Sequence, residues 1–105
     1  MNAFETIMAE NGYKTKTTFW MDFSIADRFG AKAVRDTYNR AVEGWRDNIE
    51  YLTELVMVLN HKIWQHYKTD KDLAREYDEL WRELDAWCCE NLTGDDAEYY
   101  YRTTD

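Results

Sequence analysis

Apolar residues recur at helical spacing through the centre of the chain, and this repeat constrains the fold more than any other feature. Between residues 34 and 67, each step to the next apolar position is three or four residues, which is typical of one face of an α-helix and not of a strand. The positions are Val34, Tyr38, Ala41, Trp45, Ile49, Leu52, Val56, Leu59, Ile63 and Tyr67. The chain also has no proline that would interrupt a helix.

The repeat predicts one long central helix over about residues 33–68, which would be roughly 50 Å long at 1.5 Å per residue. Gly44, Asp47 and Asn48 lower the helical propensity near its middle. The alternative is therefore a break between Gly44 and Asn48, whereas a single helix would be straight or bent at this stretch. Because the apolar stripe continues in phase across this stretch, the single helix is the favoured interpretation.

A further helix is predicted over residues 71–91, where Asp70 supplies an N-terminal cap and Gly94 follows the end. We expect it to pack antiparallel against the second half of the central helix. Short flanking helices are predicted at residues 2–12, 18–29 and after Asp95, with Asp22 and Asp27 facing away from the core. The expected fold is an all-α bundle, with residues 1–105 forming one domain.

The charge distribution argues against a nucleic-acid or membrane partner. The net charge is −8, and residues 76–105 carry ten acidic side chains against only Arg82 and Arg102. Nucleic-acid-binding domains usually show the opposite sign, and an acidic membrane surface would repel this end. No apolar run approaches the ~20 residues of a transmembrane helix, and the first ten residues contain no Lys or Arg. We therefore expect a cytoplasmic protein.

The residues that usually carry catalysis are sparse and poorly spaced. His61 and His66 lie five residues apart, on opposed flanks of a helix, so they do not form a metal site with the usual spacing. Ser24, the only serine, has no histidine near it in the sequence. Cys88 and Cys89 are expected to be reduced thiols, and their acidic surroundings suppress the reactive thiolate. The sequence therefore predicts a non-enzymatic protein without catalytic, cofactor-binding or metal-binding residues.

The aromatic content points instead to protein binding. Seventeen residues are aromatic, and Tyr99, Tyr100 and Tyr101 are consecutive, so one helix face cannot bury all three. Tyrosine and tryptophan are enriched where protein interfaces draw most of their binding energy. The tyrosine triplet is therefore a predicted partner-binding site. Self-association also fits, because two long helices could pair across a two-fold axis.

A second interpretation starts from the acidic side of the helix at residues 71–91. Asp72, Glu76, Glu79 and Glu83 lie along one side, with charges roughly 4–6 Å apart, close to the phosphate spacing of duplex DNA. Such a surface could occupy the DNA-binding groove of a nuclease or restriction-type defence enzyme. Glu76, Glu79 and Glu83 are the predicted contact residues of this DNA-mimic alternative.

A third interpretation is a small DNA-binding regulator. Residues 23–30 read like the start of a helix-turn-helix, because Ala26 and Gly30 match its small residue and its turn. Arg35 and Arg40 could contact phosphates. However, Asp36 stands where the apolar anchor of the recognition helix should lie, and the domain is acidic.

Three segments carry a resemblance to a known group of proteins. They are TFWMDFSIADRFG at residues 18–30, YLTELVMVLN at residues 51–60 and YYYRTTD at residues 99–105. Together they resemble a family of small uncharacterised proteins carried on phages and conjugative elements of gut bacteria. The resemblance covers most of the chain and implies an accessory protein that binds host or element proteins, including defence enzymes. It brings no catalytic residues with it.

Overall fold

The structure, a computed structural model that describes residues 19–104, contains five α-helices and no β-strand within that range. The helices are α1 (Phe19–Asp27), α2 (Ala31–Trp45), α3 (Ile49–His66), α4 (Lys71–Asn91) and α5 (Gly94–Thr104). The predicted all-α bundle is confirmed. The helix predicted at residues 2–12 and the side chain of Trp45 lie outside the described part of the chain.

The predicted single central helix is wrong, because the chain divides into α2 and α3 within the stretch where a break was the alternative. Asn48 has an extended backbone (φ −111°, ψ 105°), and its side-chain oxygen accepts a hydrogen bond from the backbone N–H of Tyr51 at 3.2 Å. Such a cap is worth ~1 kcal/mol at the start of a new helix. The apolar repeat stays in phase across the break because both helices face the same core, so it gives no sign of the interruption.

The predicted helix at residues 71–91 is confirmed as α4, and it forms an antiparallel hairpin with α3. The Asp70 carboxylate accepts a hydrogen bond from the backbone N–H of Leu73 at 3.1 Å, which caps α4 after a short turn. Near this turn the rings of His66 and Tyr77 stack, while farther along the hairpin Met57 shares a groove with Asp85. The pairing therefore runs in opposite directions along the two helices, and α3 and α4 form the most extensive interface.

The core lies between this hairpin and the first two helices. Its largest fully buried apolar side chains are Phe19, Phe23, Val34, Leu52, Leu55, Leu59, Tyr77, Leu80, Leu84 and Tyr100. Burying one such aliphatic or phenylalanine side chain stabilises the fold by about 1.5–3 kcal/mol. Most of the predicted central stripe is buried, but Tyr67 is 46% exposed because it follows the end of α3.

The last helix, α5, starts at Gly94, whose positive φ of 60° suits glycine, and it packs mainly against α3. Its main anchor is Tyr100, which is buried, bonds to Asp85 of α4 and lines a groove with residues of α3 and α4. Within residues 19–104, no helix is both long and apolar enough to cross a membrane.

Candidate functional site

The predicted tyrosine triplet lies on α5, and its three side chains differ in burial. Tyr100 is buried and donates a hydrogen bond to the Asp85 carboxylate. Tyr99 is half-buried, and Tyr101 is 48% exposed. The rings of Tyr100 and Tyr101 meet edge to face, with centroids 5.6 Å apart. Tyr100 therefore holds α5 in place, whereas Tyr99 and Tyr101 reach the surface.

Tyr101 belongs to a larger exposed surface that we call the aromatic face. Its centre is the outer side of α3, where Met57, His61 and Trp64 follow one another at spacings of four and three residues. Trp64 is 65% exposed. The remaining members are Trp20, Tyr67 and Tyr101.

Ring contacts and shared clefts join the members of the aromatic face into two groups, which the three-residue spacing of His61 and Trp64 on α3 places side by side. The ring of Trp20 meets His61 edge to face at 4.8 Å, and Trp64 meets Tyr67 in the same way at 5.5 Å. Met57 lines one cleft with Trp20 and a second cleft with Tyr101. Contiguous apolar surface of this kind is typical of interaction sites, whereas single exposed apolar side chains are not informative.

The second of these clefts is a groove where α3, α4 and α5 meet. It has a volume of about 290 Å³ and is partly open to solvent. Trp81, Asp85 and Cys89 of α4 line it from one side, and Tyr101 of α5 lines it from another. The spacing of four residues along α4 places its three side chains on one face of the helix. The groove therefore combines aromatic rings with one carboxylate.

The acidic residues predicted for the DNA mimic are only partly available. Arg35 of α2 donates a hydrogen bond to Glu76 at 3.0 Å and another to Glu83 at 2.7 Å. Burial alone would lower the pKa of Arg35, but its bonds and attraction to Glu83 and Glu76 raise it above the ordinary value. Glu79 is exposed. Arg35 therefore interrupts the acidic stripe, and the same contacts turn one of the two arginines considered for DNA binding toward α4.

A buried polar cluster, the Asp27 cluster, ties α1 to the hairpin. Lys62, which is 1% exposed, donates to Asp27 at 2.9 Å and to Ser24 at 3.0 Å. His66 Nε2 lies 2.9 Å from the same carboxylate oxygen of Asp27, and the Tyr77 hydroxyl donates to the other oxygen. Burial, followed by the bond to Asp27, raises the pKa of Tyr77 well above its usual range.

The Asp27 cluster corrects the expectation that Asp22 and Asp27 face away from the core. Asp22 is fully buried and Asp27 is largely covered. Neither His66 nor Lys62 was predicted from the sequence to join such a cluster. A signal was present: Lys62 stands three residues after Leu59, within the row of α3 that faces the core. Each polar group of the cluster is paired within it, so it acts as a structural tie.

The two cysteines differ in environment. Cys88 is buried and Cys89 is exposed at the edge of the groove. Burial, together with nearby Asp85, raises the pKa of the Cys88 thiol to about 12. A thiol that stays protonated at neutral pH is a poor nucleophile. Within the described residues, no three His, Cys, Asp or Glu side chains are grouped so that they could hold a metal ion.

Comparison of the chain with protein-family models, with curated proteins and with solved structures finds no match.

Proposed function

We propose that this chain is a non-enzymatic accessory protein, of a mobile genetic element, that works by binding another protein through the aromatic face. The supporting observation is the continuity of that face across α1, α3 and α5. Large aromatic side chains bury ~150–250 Å² each when they are covered, and they dominate interface energetics. Leaving several of them together in water costs stability that a partner would recover.

Self-association is the second candidate, and one observation favours it. Met57 lies at the middle of α3, which runs from Ile49 to His66. An antiparallel pairing of two copies about a two-fold axis at Met57 would place Trp64 of one copy against the first half of α3 in the other. A protein partner and a second copy would thus use the same residues.

The DNA-mimic alternative has weaker support. Glu76 and Glu83 share the guanidinium of Arg35, so a DNA-binding enzyme would meet a neutralised patch in the middle of the stripe. The DNA-binding regulator has weaker support still, because Arg35 is held against α4 and the protein is acidic.

A binding experiment with matched variants tests the proposal. Tagged wild-type protein, Trp64→Ala and Glu79→Lys are each incubated with lysate of a gut bacterium, and the retained proteins are identified by mass spectrometry. We expect one set of partners to be retained by the wild type and by Glu79→Lys, to survive a high-salt wash, and to be lost with Trp64→Ala. Apolar interfaces resist salt, whereas charge-based binding does not.

The opposite pattern would overturn the proposal in favour of the mimic. In that case a nucleic-acid enzyme would be released by high salt and lost with Glu79→Lys, while Trp64→Ala retained it. If only the bait is recovered, sedimentation equilibrium decides between the remaining cases. A dimer that Trp64→Ala converts to a monomer supports self-association, and a monomer at all concentrations rejects binding through the aromatic face.

A further inference from the structure

The groove between α3, α4 and α5 contains a negative charge that no cation within residues 19–104 balances. Asp85 is the one charged side chain among the described residues that line it, and no cation from residues 19–104 pairs with it. The Tyr100 hydroxyl donates to Oδ1 of Asp85 and fixes the orientation of the carboxylate. Within the same residues, no donor forms a hydrogen bond with the second oxygen, Oδ2.

The remaining walls suit the stem of an organic cation. Trp81 and Tyr101 contribute aromatic rings, and Val56 and Met57 contribute aliphatic surface. A cation over the face of tryptophan or tyrosine is attracted by the ring, and the attraction strengthens when water is excluded. The volume of about 290 Å³ lies near the lower end of small-molecule sites.

The charge of the surroundings favours the same ligand class. Residues 76–105 hold ten of the 21 acidic side chains and only two basic ones. An acidic surface around a cleft concentrates cations near its mouth. Anions are disfavoured by the same field and by Asp85 itself.

We propose that this groove binds an organic cation, an ammonium or guanidinium group on a short aliphatic stem, with its charge at Asp85 and its stem between Trp81, Tyr101 and Met57. The inference does not depend on the proposed function, because it is argued from the groove and is tested on the chain alone. Met57 and Tyr101 belong to both surfaces, so a protein bound to the aromatic face would compete with a free amine. A lysine or arginine side chain presented by a protein has the same chemistry, so the test separates the two sources.

The test is a titration of the full chain with butylammonium, butylguanidinium and Nα-acetyl-lysinamide, followed by ¹H–¹⁵N NMR. The indole signal of Trp81 is assigned with Trp81→Phe, and butan-1-ol serves as the neutral match. We expect saturable shifts of Trp81 and of the α5 amides with the cations and none with butan-1-ol. A stronger response to lysinamide than to butylammonium would identify a protein side chain as the source, and the reverse would identify a free amine.

Two variants separate local recognition from general attraction to an acidic protein. Asp85→Asn should weaken binding by about tenfold or more, because it removes the charge at the site. Glu79→Gln removes the same charge from an exposed position of α4 and should change binding by less than about twofold. If Asp85→Asn disturbs the fold, Trp81→Leu replaces it and should also weaken binding. Equal binding of butan-1-ol, equal effects of Asp85→Asn and Glu79→Gln, or shifts that avoid the groove would overturn the proposal.

Discussion

Two places in this molecule use the same pair of groups, a tyrosine hydroxyl that donates to an aspartate. In the Asp27 cluster, Tyr77 donates to Asp27, and Lys62 and His66 complete the shell of that carboxylate. In the groove, Tyr100 donates to Asp85, but no cation among the described residues follows. The first carboxylate is neutralised and covered, while the second lines an open cleft. The counterion therefore decides the role of such a tyrosine–aspartate pair. With a cation the pair stabilises the fold, and without one the carboxylate can bind a ligand.

The largest expected effect on the free energy of unfolding comes from removing Lys62, the counterion of Asp27. We expect Lys62→Met to lower the free energy of unfolding by about 3–5 kcal/mol, because it leaves the buried Asp27 carboxylate without its cation. Asp85→Asn should cost no more than ~1 kcal/mol, since that carboxylate faces the open groove. Urea denaturation followed by circular dichroism measures both changes. Lys71→Met is the control at an exposed position and should stay within ~0.5 kcal/mol.

A loss for Lys62→Met that is no larger than for Lys71→Met would mean that the Asp27 cluster is not a structural tie. A loss for Asp85→Asn equal to that for Lys62→Met would remove the distinction between the two carboxylates.

Removing one tyrosine hydroxyl at a time should also distinguish the Asp27 cluster from the groove. Tyr77→Phe should cost about 1.5–3 kcal/mol, because a hydrogen bond to a buried charged group is lost. Tyr100→Phe should cost about 1 kcal/mol, because water in the groove can replace the donor to Asp85. The measurement is again chemical denaturation, with Tyr67→Phe as the exposed control. Equal losses of unfolding free energy for Tyr77→Phe and Tyr100→Phe would show that water is excluded equally from the two sites.

High pH tests the same two tyrosines through a gradual loss of stability. Burial comes first, and the bonds to Asp27 and Asp85 add to it, so the pKa values of Tyr77 and Tyr100 in the folded protein lie well above the ordinary 10.0. Below about pH 10 these phenols are protonated in both states, and their contribution to stability is complete. Above it the unfolded chain loses its protons first, so stability should fall by up to about 1.4 kcal/mol per pH unit for each tyrosine.

Urea denaturation at intervals from pH 9 to pH 11.5 measures this slope. Tyr77→Phe should make it shallower, because it removes one of the buried phenols. Tyr38, whose pKa burial raises to about 12, adds to the fall in every variant. A flat profile in the wild type would contradict the inferred environments of these tyrosines.

The sequence was sufficient for features that local patterns determine. The helix at residues 71–91 has an apolar stripe, a capping aspartate and a glycine beyond its end, and all of these act within a few residues. The break before Asn48 was harder to identify, because the apolar phase is unchanged across it. The apolar phase favoured a continuous helix. The low helical propensity near Gly44 and the cap, in which the Asn48 side chain accepts a hydrogen bond from the backbone N–H of Tyr51, produced a break instead.

The candidate sites depended on contacts that no local pattern contains. Asp27 meets Lys62, His66 and Tyr77 across 35 to 50 residues of chain. The sequence did not show which tyrosine of the triplet is exposed, because this depends on the packing of α5, which buries Tyr100 and leaves Tyr101 exposed. Likewise, the acidic stripe could be located from spacing, but its pairing with Arg35 of α2 required the tertiary arrangement. Residue spacing predicts which side chains share a helix face, but it does not identify the partner that binds that face.

The position of Tyr100 has a consequence for how the groove is regulated. Tyr100 is at once the anchor of α5 and the group that orients Asp85, and α5 is the last described helix and has no long interface with any neighbour. Helices with smaller interfaces than the core open locally at lower free energy than the core does. Release of α5 would therefore remove one wall of the groove, the one that carries Tyr101, without unfolding the hairpin. By thermodynamic linkage, a cation held at Asp85 and the docking of α5 must strengthen each other by the same factor, which hydrogen exchange of the α5 amides would measure.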